Sequence, residues 1–151
     1  MRVDFYHLEK WPLEKALPMI MEKVYAYSAH ALIKVGSPER AEYLNSLLWT
    51  YDNNSWLPHG TEKDGNPSLQ PIWITAAEEN PNNASILVLL DSETVDFSTA
   101  AYDRILLMFD GKSEEALTSA RKSWVQAKNA GAEMFYWQQD ENGAFKAKDL
   151  T

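Results

Sequence analysis

The sequence predicts an α/β protein in which a mixed, mostly parallel β-sheet carries helices on both faces. Segments with strand patterning alternate along the chain with segments of helical periodicity. One run, Ile86-Leu87-Val88-Leu89-Leu90, is continuously apolar, as in a strand covered on both sides. Serines stand where caps are needed, at the start of two helical segments.

Residues 2–8 alternate Val3, Phe5 and His7 against Asp4, Tyr6 and Leu8, which predicts a first strand. Pro12 suits the first position of a helix, and Leu13, Leu17, Ile20 and Val24 recur at helical spacing through about residue 28. Pro18 removes a hydrogen bond inside that run, so a kink or a shortened helix is expected. Residues 31–35 form a second strand; Ser37 and Pro38 then open a helix whose Ala41, Leu44 and Leu48 face inward. The stretch 50–70 is rich in Asn, Asp, Gly and Pro and reads as loop and turns.

Residues 71–76 and 85–90 are strands joined by a polar turn. Residues 104–109 read as another buried strand, although periodicity alone also allows partial helix across 97–109. Ser113, followed by Glu114 and Glu115, opens a helix that stops at Gly131. Residues 134–138 and 144–147 flank Asp140-Glu141-Asn142-Gly143 as a hairpin.

At 151 residues the chain fits one domain, residues 1–151, without internal repeat or linker. Cysteine is absent, which removes disulfides, thiolate metal sites and thiol nucleophiles. The N-terminus has no apolar signal-like region and no apolar run is long enough to cross a bilayer, so a cytoplasmic location is expected. A formal charge of −8 repels a phosphate backbone and argues against direct nucleic-acid binding.

Catalytic and cofactor chemistry finds little support. The loop after the first strand, Glu9-Lys10-Trp11-Pro12, has no glycine to admit a phosphate, and the second such loop has only Gly36. His7, His30 and His59 stand at no metal-ligand spacing, and Ser55 with His59 lacks a nucleophile elbow. No cofactor and no metal are therefore expected. The alternative reading is a small nucleotide-binding or hydrolytic α/β enzyme that uses the C-terminal edge of its sheet.

Two constellations stand out. Trp49 and Trp56, with Pro58 and His59, concentrate large apolar groups where a helix runs into a polar loop, either closing the edge of the core or forming a docking patch. Arg121, Trp124 and Lys128 fall at i, i+3 and i+7, within about 60° of arc on one helix face. That face is either a solvated surface or a seat for a peptide ending in an aromatic residue and a free carboxylate.

At these residues the chain resembles the chi subunit family of bacterial DNA polymerase III holoenzyme over nearly its full length. The resemblance rests on Asp4-Phe5-Tyr6-His7-Leu8, on Leu48-Trp49-Thr50-Tyr51 followed by Ser55-Trp56-Leu57-Pro58-His59-Gly60, on Gln70-Pro71-Ile72-Trp73 and on residues 104–111. It implies a Rossmann-like three-layer sandwich without a nucleotide-binding loop. It also implies a non-catalytic subunit that bridges the clamp loader, through psi, to the acidic C-terminal tail of single-stranded DNA-binding protein, with a helicase as a further partner class. Trp49, Trp56, Pro58 and His59 would meet psi or an alternative partner, and Arg121, Trp124 and Lys128 the tail. Two departures matter: Trp56 stands where the family commonly has Phe, and Leu117 where it has a lysine.

Overall fold

Alternation along the first strand decides the layering. In the computed structural model, which describes residues 1–148, strand β1 (Arg2–Leu8) sends Val3 and Phe5 into one core and Tyr6 and Leu8 into another. Helices α1 (Leu13–Ala26) and α2 (Pro38–Thr50) cover the Tyr6 side, and α3 (Glu114–Asn129) covers the Phe5 side. The remaining strands are β2 (Ala31–Lys34), β3 (Ile72–Thr75), β4 (Ile86–Leu89), β5 (Arg104–Asp110), β6 (Glu133–Gln139) and β7 (Phe145–Ala147). They form one seven-stranded sheet in the order β3-β2-β4-β5-β1-β6-β7, parallel at every pairing except β6 with β7. The expected three-layer α/β sandwich with a mixed, mostly parallel sheet is the fold observed.

Local chemistry sets the helix ends. Ser37 Oγ accepts from the Arg40 N–H at 3.1 Å and Ser113 Oγ from the Ala116 N–H at 3.2 Å. Gly131, at φ +82°, takes the left-handed conformation that ends α3. Helix α1 runs unbroken through the buried Pro18, contrary to the expected shortening. Pro18 has no N–H to donate, and the carbonyl left without that donor is that of Glu14, a partly exposed residue in the first turn. Between β4 and β5 the chain crosses the α3-side face without a helix, and its buried Phe97 packs into that core. The strand reading of 104–109 therefore holds, with Asp96-led turns in place of partial helix. Among the described residues, no helix is long and apolar enough to cross a membrane.

The loop between α2 and β3 is pinned at two points. Leu57 is buried in the core, and Gly60 bonds along the β3 edge, giving its N–H to Ile72 O and taking the Ile74 N–H, each at 3.0 Å. This covers an edge strand that would otherwise offer unpaired backbone groups.

Candidate functional site

Helix α3 buries only Ala120, Ser123 and Ala127, so small side chains bring it close to the sheet. The larger Leu117, Arg121 and Trp124 are left along its flank. Trp124 is half-buried, meeting Phe5 edge-on with ring centroids 5.0 Å apart and Tyr136 at 5.8 Å. These partners come together because β1 and β6 pair in parallel with Phe5 opposite Tyr136. The resulting groove has a volume of about 530 Å³ and a mostly apolar wall of Phe5, Phe109, Leu117, Trp124 and Tyr136, with Arg121 and Lys148 at its margin. Among the described residues that line it there is no carboxylate.

A polar relay lies at the groove floor. His7 Nδ1 meets the Tyr136 hydroxyl at 2.7 Å. The Glu9 carboxylate lies 3.0 Å from Nε2 but out of line for a hydrogen bond. The ring is held by Gly111, where a Cβ would come within 2.0 Å of Nε2. Burial pushes the Tyr136 phenol above the ordinary tyrosine pKa and the Glu9 charge adds to this, while Arg121 pulls it back.

Of the three residues singled out on this helix, Arg121 and Trp124 share the groove, and Lys128 stands exposed outside its lining, near the helix C-terminus. Phe5, His7, Tyr136 and Lys148 complete the groove, and the sequence reading assigns none of them to it. The alternation in β1 puts Phe5 and His7 on one face, but nothing local to the sequence makes β6 the neighbour of β1.

The second constellation lies where α2 ends. Trp49 and Trp56 are 45% and 71% exposed, with ring centroids 5.8 Å apart. They do not close the core; Leu57, next to Trp56 in the chain, does. His59 is buried 4.1 Å beneath Trp49, its Nδ1 facing Leu57 O at 2.7 Å and its Nε2 facing Asn45 O at 3.0 Å. It therefore supports the patch from below, while the two indoles and the half-buried Pro58 reach its surface. Ser55 donates to Glu22 at 2.6 Å and meets the Tyr51 hydroxyl, so Ser55 and His59 are not brought together as nucleophile and base.

The crevice where an open α/β sheet would hold a nucleotide lies at the C-terminal ends of β1, β4 and β5, and its lining includes Glu9, Glu14, Asp91 and Asp110. The backbone donors of the loops after β1 and β2 are already taken. Gln139 Oε1 accepts from the N–H groups of Glu9, Lys10 and Trp11 at 2.8, 2.8 and 3.2 Å, filling the position a phosphate would occupy. Asp91 accepts from the Gly36 N–H and from Arg40 Nε, both at 3.1 Å. Among the described residues no cluster of three or more His, Asp or Glu side chains is arranged to hold a metal ion.

Comparison with known proteins agrees with this architecture. Residues 1–135 match the family described as DNA polymerase III chi subunit, HolC. A relative from Rickettsia prowazekii (strain Madrid E), named "Probable DNA polymerase III subunit chi", is 39% identical over 87 residues. That match covers 58% of this chain and 53%, about half, of the relative's length. With a matching sequence over most of its length, the chain belongs to the DNA polymerase III chi subunit family.

Proposed function

We propose that this protein is a non-catalytic accessory subunit of a cytoplasmic replicative polymerase, joining the clamp loader to protein-coated single strands. In this reading the α3 groove takes the acidic C-terminal tail of single-stranded DNA-binding protein. Trp49, Trp56 and Pro58, supported by His59, take a psi-like clamp-loader subunit or an alternative partner such as a helicase.

One observation carries the tail reading. A chain of net charge −8 keeps an apolar groove bordered by Arg121 and Lys148 with no carboxylate among its described lining residues, Glu9 meeting it through His7, 3.0 Å away. An aromatic terminal side chain fits against Trp124, and the guanidinium can take the terminal carboxylate through two parallel bonds. The net charge opposes an acidic peptide only weakly, because screening over about 8 Å at physiological salt leaves the local cations in control.

Calorimetry with a synthetic acidic peptide ending in phenylalanine tests it. Arg121→Ala should weaken binding by about 1.5–3 kcal/mol, the worth of charge-assisted hydrogen bonds. Unchanged affinity removes α3 from the tail site.

A further inference from the structure

The family match ends at residue 135, yet the groove's far wall is built from Tyr136, Gln138 and Lys148 beyond it. We infer that Lys148 is a second determinant of peptide specificity, a cation on the strand side of the groove that binds acidic side chains upstream of the peptide's terminus. This rests on the tail-binding reading above and extends it to a residue outside the matched region.

The placement of Lys148 follows from the terminal hairpin. Strand β7 pairs antiparallel with β6, Trp137 opposite Ala147 and Gln139 opposite Phe145, and the Lys148 N–H donates to Tyr136 O at 2.7 Å. Phe145 anchors the hairpin edge-on against Tyr6, with centroids 5.1 Å apart. With its backbone held there, the side chain lies across Tyr136, Nζ 5.6 Å from the ring centroid. Tyr136 thus shares the groove lining with Arg121 on the helix side and has Lys148 over its ring.

The two cations suit different targets. A guanidinium presents a rigid fork that matches one carboxylate, so Arg121 takes the terminal group. An ammonium on a four-carbon stem is a mobile point charge, suited to acidic side chains whose positions vary. The groove therefore reads a terminal carboxylate and, separately, the acidic character of the residues before it.

The test uses the full chain with two synthetic peptides, an aspartate-rich segment ending in phenylalanine as the free acid and the same peptide as its C-terminal amide. Lys148→Ala should weaken both by about tenfold, and Lys148→Arg should restore most of the loss. Arg121→Ala should weaken the acid far more than the amide. Lys148 is exposed, so the thermal midpoint of its variants should match wild type. If Arg121→Ala weakens binding while Lys148→Ala leaves it unchanged, the role of Lys148 is overturned and the tail site stands. If Lys148→Ala weakens only the free acid, the division of targets is overturned. If the wild type binds neither peptide, both readings fall.

Discussion

Replacing Gln139 with alanine removes one oxygen from three backbone donors at once. In the folded protein that oxygen accepts from Glu9, Lys10 and Trp11, while the amide nitrogen donates to Gly143 O at 3.2 Å, and the side chain is only 7% exposed. An unsatisfied buried donor costs about 1–3 kcal/mol, but water entering from the crevice can reach part of this loop. A net loss of about 2–3 kcal/mol is therefore expected for Gln139→Ala, close to the cost of one full donor plus the broken Gly143 bond. For a domain of this length that lowers Tm by about 4–12 °C. Urea unfolding should show a lower midpoint with an unchanged slope, since the surface exposed on unfolding is the same. The emptied nest should also accept an anion, so inorganic phosphate should stabilise the variant more than the wild type. A variant within about 0.5 kcal/mol of wild type would refute the argument that Gln139 holds this loop and occupies the phosphate position.

Two further outcomes follow from the same geometry. Trp49→Ala with Trp56→Ala should abolish co-purification with a psi-like partner and lower stability by about 1–2 kcal/mol, because Trp56 faces solvent while Trp49 is about half covered and lies over His59; concurrent loss of fold, seen by urea titration, would mean they act as core. The Tyr51 phenol, partly desolvated and donating to Glu22, is pushed from 10.0 up to about 12, so the folded state holds this proton more tightly than the unfolded state. Its stabilising contribution is complete below pH 10 and is lost as pH rises towards 12, and Tyr51→Phe should flatten that part of a stability-versus-pH curve.

What was legible in the sequence was local. The alternation of Val3 and Phe5 against Asp4, Tyr6 and Leu8, the Ser37 and Ser113 caps and the left-handed stop at Gly131 each act within a few residues, and each element forms where those signals stand. Pairing across long separations was not legible. Phe5 meets Tyr136, and Gln139 satisfies Glu9, Lys10 and Trp11, only because β6 lies beside β1, an arrangement that parallel crossovers determine and no local pattern encodes. The lack of glycine in the loop after β1 is legible in the sequence, but the oxygen that accepts from that loop's N–H groups comes from the other end of the chain. Helical spacing grouped Lys128 with Arg121 and Trp124, whereas the groove's second cation, Lys148, belongs to a different element.

The two surfaces lie on opposite sides of the sheet, and this bears directly on bridging. Trp49 and Trp56 stand at the end of α2, whose buried face belongs to the core containing Leu44, Leu48 and Leu57, while Trp124 packs on the core containing Phe5 and Phe109. Among the described residues no side chain is shared between the patch and the groove, and a continuous seven-stranded sheet, with β2, β3 and β4 buried throughout, separates them. Coupling between binding sites requires an element with two arrangements that both ligands bias, and packed sheet cores resist such shifts. Occupation of one surface should therefore change affinity at the other by less than about 0.5 kcal/mol, roughly twofold. Titrating the acidic peptide into the free chain and into its complex with a psi-like partner measures this directly. Equal dissociation constants fit a rigid tether that adds two independent contacts, whereas a tenfold difference would require a conformational switch through the sheet.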